Sequence, residues 1–550
     1  MRTYKDELTI KMDRPTKVGW YATIGMFAWV LFLQYDLRRL PTKSSLFKRI
    51  GLFCHTIPAV TFFGTSVLAQ YSADYYLVWL GFLLVFRYWR TAVQVFFWLQ
   101  YKPALPTGDD KFKTSDCTVI CATVGPEDNL VFDELTTSIL VNKPARLIFA
   151  CNTVKAADDV RNFLVKFRPW FEAGTTRYQR DLELPGFPLE KFTEISVEDV
   201  GVSNKRQQVV AGLKQVKTAI TVQADDTAIW TPEWLIRSLP AFNDDKVGLV
   251  GTRKWVKQLP RYVQLEAGYL KNLRNQYVSG FWNTMGGLYL IRHNFAIRSM
   301  NCADGGVFCI SARSNLIRTE IVQNLEFAHE FTHEYILPLG TWFKGFGPLS
   351  TDDDNFVTRY VINKGWDIKV QCGEDTTITT ILGMYPKNFK FIEQCTRWSR
   401  STFRQNPLAL FADRTIWSKW PLTTWVTYFP WLYNAALVWD GLAIYVLTQT
   451  NFYTASSHPY LLILGLVYLF QLTKLVKTHE WWWAYPKDFL LYYMIPAYQF
   501  FTYYHSLMKI WTAVTFWNTE WSGRPNLPPP EKPEMDLKNP PTPEKIGKQA

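Results

Sequence analysis

The sequence predicts an α/β domain with a mostly parallel sheet, inserted between N- and C-terminal transmembrane helices. Three observations lead there. Long apolar runs crowd both ends of the 550-residue chain. Residues 101–390 instead alternate short β-rich runs with helix-like stretches. Two adjacent carboxylates, Asp225 and Asp226, directly follow one of those β-rich runs, at the strand end where such sheets hold their ligands.

The N-terminal region, residues 1–100, is expected to hold two or three spans. Residues 18–35 carry no charge and are about as long as a bilayer-crossing helix needs to be. The basic loop DLRRLPTKSSLFKR after them suits a cytosolic flank. Residues 51–69 read as a second span and 74–99 as a third. Arg87 and Arg90 lie in the second half of that third run, where charge in hydrocarbon is costly, so the span is expected to end near Arg87. The first residues, MRTYKDELTIKMDRPTK, are too polar and too long for a cleaved signal.

In the middle, CTVICATVG, ARLIFACNTV, TAITVQADD and DKVGLVGTRKWV read as strands. DVRNFLVKFRPWF and SNKRQQVVAGLKQV read as helices between them. Eight cysteines are scattered without a CxxC pair, which argues against a zinc knuckle or a disulfide scaffold and for a reducing, cytosol-facing location. The formal charge of +12 is spread along the chain without a nucleic-acid-binding pattern. Such a balance fits cytosolic membrane flanks and an anionic substrate.

Residues 391–420 are expected to form interfacial helices and 421–516 a C-terminal membrane region, with spans at 421–448 and 459–476. Residues 488–516 are apolar but interrupted by Pro496, and they carry His505 and Lys509. They are expected to form a re-entrant or interfacial helix pair that returns to the cytosol. The tail, 525–550, is Pro-rich and is expected to be disordered. Aromatic residues make up 16% of the chain, in keeping with long membrane–water interfaces. The expectation is an integral, multi-pass membrane protein, in the plasma membrane, with a lipid bilayer as a partner and no nucleic acid.

Four local patterns carry chemistry. In SNKRQQVVAGL, Lys205 and Arg206 open a helix, where cations meet a diphosphate or simply face solvent. In QADDTAIWTP, the acid pair is either a turn or the oxygen ligand of Mg²⁺ or Mn²⁺ beside a nucleotide. In TDDDNFVTRYV, three adjacent carboxylates, Asp352 to Asp354, form a solvated loop tip, a metal cage or a general base. A calcium cage fails on spacing, because its ligands alternate around a turn glycine. In EQCTRWSRSTFR, Gln394, Arg397 and Trp398 combine an amide, a guanidinium and an indole face. That mixture suits a sugar, or an interfacial anchor.

The order of these patterns between apolar ends resembles the processive family-2 glycosyltransferases, which include hyaluronan, cellulose and chitin synthases. Within that group the chain is most similar to hyaluronan-synthase-like fungal type 2 glycosyltransferases, over roughly residues 115–525. Gln394-Cys395-Thr396-Arg397-Trp398 matches the family's QxxRW signature. FCISARSNLIR resembles the segment at the acceptor sugar, which implies acceptor roles for Cys309 and Ser311. TEWSGR, within 517–524, resembles a gating loop and implies donor roles for Trp521 and Arg524. Two positions depart from the pattern. The DxD triplet reads Ala224-Asp225-Asp226, which leaves Asp226 as the metal ligand and Asp225 in the variable place. The first strand-end acid is replaced by Asn152.

The resemblance implies a GT-A-like cytosolic domain. It implies an inverting β-transfer from a UDP-sugar to a growing polysaccharide, with Mg²⁺ or Mn²⁺ as cofactor and with export of the product. Thr123, Asn152, Lys205, Arg206 and Asp225 would face the donor. Asp353, Gln394, Arg397 and Trp398 would face the acceptor. Asp354, the last acid of its run, would take the proton of the acceptor hydroxyl. Asp352 and Asp353 would raise its proton affinity through like-charge repulsion.

Two other classes compete. His329-Glu330-Phe331-Thr332-His333 spells HExxH, which on a helix would place two zinc ligands and a base on one face, as in a membrane metalloprotease. No third ligand motif follows it. A non-catalytic membrane scaffold is the third reading.

Overall fold

The computed structural model describes residues 57–127, 129–165, 193–337 and 345–519, with the isolated positions 25, 28 and 48. Apart from positions 25 and 28, the expected span at 18–35, and also the first part of 51–69, Trp521, Arg524 and the Pro-rich tail, lie outside the described residues. The chain divides into two compact units. One comprises residues 102–290, 309–405 and 515–550, and the other residues 1–101, 291–308 and 406–514. The expected boundary at 390 therefore moves: the QxxRW stretch groups with the sheet.

The first unit is built on nine strands among the described residues. They are β1 (Cys117–Thr123), β2 (Arg146–Cys151), β3 (Glu194–Asp199), β4 (Ile220–Asp225), β5 (Ile229–Trp230), β6 (Val247–Val256), β7 (Ser314–Arg318), β8 (Asp367–Gln371) and β9 (Thr377–Thr380). Their order is β3-β2-β1-β4-β7-β6-β9-β5, with β8 paired to β6. Strands β3, β2, β1 and β4 are mutually parallel, whereas β7 runs antiparallel between β4 and β6. The four runs read as strands in the sequence form β1, β2, β4 and β6.

Every residue of β1 is buried, which is why CTVICAT shows no polar alternation. One face of the sheet packs Val119, Cys121, Phe149 and Val222 against Phe132, Leu135 and Val160 of the Phe132–Val141 and Val154–Leu164 helices. Removing a ring such as Phe149 would cost about 3–5 kcal/mol. The other face of β1 meets the Lys205–Leu213 helix at Gly212, where an added Cβ would lie 2.6 Å from Ile120 Cγ2. That close approach brings the helix start to the ends of β1 and β4. Past Thr123 the chain turns at Gly125, whose φ of +106° suits only a residue without a Cβ.

The second unit is helical. The Ile57–Tyr71 helix is followed by Tyr75–Gln100, whose N-cap Asp74 accepts from Leu77 N at 3.1 Å. Arg87 is ion-paired with Asp440, which also accepts from Tyr503 Oη at 3.0 Å. The charge at the middle of the third apolar run thus has a specific partner.

Residues 421–448 do not form the single span the sequence suggested. Short helical pieces cover Pro421–Tyr433 with a π-helical turn at Thr424–Tyr428, and a new helix starts at Ala436. Pro421 and Pro430 each remove a backbone donor. The buried Thr423 donates through N and Oγ1 to Asp304 at 2.9 and 2.6 Å, which fixes this irregular stretch. The remaining Ala436–Thr448 helix has 13 residues, too few to cross a bilayer. Among the described residues one helix, Pro459–Val476, is long and apolar enough to do so. In 488–516 the chain breaks at Ile495–Pro496, between the π-helical Phe489–Met494 and the Ala497–Ala513 helix.

Candidate active site

The sheet reverses its strand order around β1, which lies between β2 and β4. A crevice opens beyond the carboxyl ends of strands at such a point. Four expected donor-side residues meet there. Thr123 ends β1 and donates through Oγ1 to Asp226 Oδ2 at 3.0 Å. Asp225 ends β4 and pairs with Lys205 Nζ at 2.6 Å. The same ammonium reaches Asp353 Oδ2 at 2.9 Å, tying the strand end to the start of the Asp353–Asn363 helix. Burial would lower the proton affinity of Lys205, but Asp225 and Asp353 outweigh it and hold it above the ordinary lysine range.

Asn152 follows β2, and its Nδ2 donates to Ser203 Oγ at 3.1 Å. Its buried Oδ1 has no hydrogen-bond partner. The neutral amide thus leaves a buried acceptor unpaired among the described residues, where a carboxylate would have added charge.

Arg206 corrects an expectation. It does not face a donor but points into the interior with no exposed surface. Its guanidinium donates to Thr351 O, to Phe331 O at 2.7 Å and to Glu334 Oε2 at 2.8 Å. Phe331 and Phe356 cover it. It braces the backbone that leads into the acid run. On a helix of which almost every residue is buried, the second of two adjacent cations turns away from the first.

The three adjacent acids have three environments. Asp352 adopts φ +64° and is held by Arg404 through Nε at 2.7 Å and Nη2 at 2.8 Å. Burial alone would raise its proton affinity, but Arg404 holds it well below the usual carboxylate range. Asp353 is lowered too, by Lys205 against its burial. Asp354 is pushed up to about 6, first by burial and then by Asp353 and Asp352. The repulsion expected from the sequence is therefore present, with burial as the larger cause. Asp354 keeps one oxygen on Asn355 N at 2.9 Å and remains partly exposed.

Cys309 faces the Asp354 carboxylate, and burial raises its thiol well above the ordinary range. Ser311 is buried, and its Oγ accepts from Arg313 N at 3.3 Å. Gln394, Arg397 and Trp398 share the Asn388–Pro407 helix at a spacing that places them on one face. Trp398 packs on Tyr289 with ring centroids 5.2 Å apart.

Two residues emerge that the sequence had not singled out. Arg313 lies over the Trp398 ring at 5.1 Å, with Asp225, Asp354 and Arg397 as charged neighbours. Burial lowers its proton affinity, and Asp225 and Asp354 oppose that. Lys254 of β6 is buried near Cys309 and Asp354, and burial lowers it to about 8. Lys254 stands beside Arg253 in the run that forms β6, and Arg313 directly precedes β7, so neither carries a pattern of its own. For Arg313 the signal available was that it interrupts the otherwise uncharged stretch 305–317.

Among the described residues no three His, Cys, Asp or Glu side chains converge as a metal cage. Asp226 at a strand end fits a different arrangement, because Mg²⁺ commonly takes one or two carboxylates and completes its shell with phosphates and water. The HExxH motif does not form a zinc face. The helix runs Leu325–Thr332 and ends before His333, whose ring stacks on that of His329 with centroids 4.6 Å apart, and no third His, Cys, Asp or Glu joins them among the described residues.

Residues 186–401 match the family described as "Glycosyltransferase like family 2". The chain is similar to fungal proteins described as type 2 glycosyltransferases. It is 28% identical to a "Type 2 glycosyltransferase" of Gibberella zeae over 487 residues, 86% of this chain and 81% of the relative. It is 32% identical to one of Zymoseptoria tritici over 335 residues, 60% of this chain and 64% of the relative. A solved mannosyltransferase of Pyrobaculum calidifontis, described in complex with GDP-Man and Mn²⁺, is 14% identical, with 80% of this chain and 99% of that one covered and a TM-score of 0.41.

Proposed function

We propose that the protein is a UDP-sugar-dependent, inverting β-glycosyltransferase that extends a polysaccharide. The observation that carries this reading is the Lys205 bridge. It brings the donor-side acids at the end of β4 and the acid run of the Asp353–Asn363 helix into one crevice. Thr123 and Asn152 would contact the base and ribose, and Lys205 would approach the diphosphate. Asp226 would hold Mg²⁺ or Mn²⁺, which when bound neutralises the diphosphate leaving group.

Asp354, raised to about 6, is poised as a general base near neutral pH. It takes the proton of the acceptor hydroxyl. The hydroxyl oxygen bonds to the anomeric carbon while the bond to the diphosphate oxygen breaks and its electron pair leaves with UDP. Attack opposite the leaving group inverts the centre. Trp398 offers its ring to the acceptor sugar, and Arg397 and Gln394 offer hydrogen bonds. Asp353 and the buried Cys309 and Ser311 would shape the acceptor side.

Membrane embedding is part of the proposal. It is supported by the apolar Pro459–Val476 helix and by the exposed apolar side chains of the helical unit, such as Leu464, Tyr468 and Phe500. On this reading the chain is a multi-pass plasma-membrane protein with the sheet unit in the cytosol, and it exports its polymer. Purified protein with a panel of radiolabelled nucleotide sugars tests the reading. UDP release with polymer growth supports it. UDP release with a single sugar added keeps the transferase and removes the polymer. No release from any donor overturns it.

A further inference from the structure

Asp352 is a residue with a Cβ held at φ +64°, in the left-handed region, immediately before the helix that carries Asp353 and Asp354. Such a conformation persists only where its surroundings enforce it. Here the enforcement has one main source. Arg404, 3% exposed at the far end of the Asn388–Pro407 helix, grips both carboxylate oxygens of Asp352. Ser401 Oγ, one turn earlier on the same helix, also donates to Asp352. The other end of the guanidinium is also engaged. Its Nη1 donates to Phe516 O at 2.8 Å and to Asn518 O at 3.0 Å. Arg400 Nε, on the same helix, donates to Thr515 Oγ1 at 3.3 Å. One planar cation therefore joins the strained turn before the acid run to a chain segment more than a hundred residues later.

We propose that Arg404 is a positioning residue that locks the turn at Asp352, fixes the helix start bearing Asp354, and couples both to the seating of Thr515–Asn518. A lysine cannot replace it. Its ammonium is a single point of charge and has no fork to hold a carboxylate and two carbonyls in different directions. The kinetic arm of the test rests on the transferase reading above. The exchange arm does not.

The test is amide hydrogen exchange on the full chain, with turnover measured in parallel. In Arg404→Lys, exchange is expected to speed up together at Asp353–Asn355 and at Phe516–Asn518. Turnover is expected to fall on the order of a hundredfold with nucleotide affinity unchanged, the scale set by displacing a catalytic group by about an ångström. Asp352→Gly in the same background tolerates the positive φ and removes the buried carboxylate. It is expected to restore slow exchange at Asp353–Asn355 and part of the turnover, leaving Phe516–Asn518 fast. Unchanged exchange in either segment of a folded Arg404→Lys protein overturns the proposal. So does a double variant no slower at Asp353–Asn355. If Arg404→Lys does not fold, Ser401→Ala gives a milder version: faster exchange at Asp353–Asn355 supports the lock, and no change there contradicts it. Exchange is read without any sugar, so a wild-type chain that transferred nothing would sink the functional reading and still test Arg404.

Discussion

The acid pair at the end of β4 and the acid run at the start of the Asp353–Asn363 helix are built from the same side chain and behave differently. At the strand end, Asp225 pairs with Lys205 and Asp226 accepts from Thr123, and both stay partly exposed. They are open to a ligand. At the helix start, Asp352 is consumed by Arg404, Asp353 is shared with Lys205, and Asp354 is left with neighbours that favour its proton. The difference teaches that neighbours decide what a carboxylate does. Three adjacent aspartates divide into a structural anchor, a bridge and a carboxyl whose proton affinity is raised.

The largest effect that sharpens this comparison is expected at the base. Asp354→Asn keeps the shape and removes the proton acceptor, and it should lower turnover on the order of a hundred- to ten-thousand-fold while UDP binding survives. Near-normal turnover would remove the assignment.

Loss of the stacking face comes next. Trp398→Ala and Arg397→Ala are each expected to stop polymer formation while UDP binding to the strand end persists. Full-length polymer from both variants would return the QxxRW stretch to a structural role.

Asp352→Asn tests the other extreme of the run. It leaves the Arg404 charge buried without its partner and should cost about 3–5 kcal/mol of stability, read by denaturant titration. The pH dependence has a definite sign. The folded-state proton affinity of Asp352 is depressed, so its contribution is present above the ordinary carboxylate range and is lost as pH falls below it. Asp352→Asn should therefore flatten the acid side of the stability curve. A variant as stable as the wild type would contradict the anchor role.

Smaller effects separate the strand-end pair. Asp226→Ala should lose metal-dependent UDP binding in calorimetry, and Asp225→Ala should lose less, because its carboxylate is already paired with Lys205. Equal and undiminished affinities would make the pair a simple turn.

Much of this was legible in the sequence. The runs that became β1, β2, β4 and β6 are apolar and β-branched enough to read directly. The acids at 225, 226 and 352–354 fall where strand and helix ends place them. Arg206 was misread because two cations at a helix start look alike until the burial of the helix decides which faces inward. Arg313 and Lys254 were missed because a cation at or within a strand carries no periodic signal, and Lys254 stands beside a second cation, Arg253. The run at 421–448 looked continuous because hydropathy averages over Pro421, Pro430 and the buried Thr423, whose hydrogen bonds to Asp304 come from a residue far away in sequence.

The central claim is that Asp354 is a base made by burial and by its own neighbours. The pH profile of UDP release tests it most directly. The base must be ionised to act, so the account predicts that turnover rises with pH through about 6 and then levels. In Asp353→Asn the loss of the neighbouring charge should move that rise to lower pH. A profile that rises only in the ordinary carboxylate range, or that does not move in Asp353→Asn, would contradict the account.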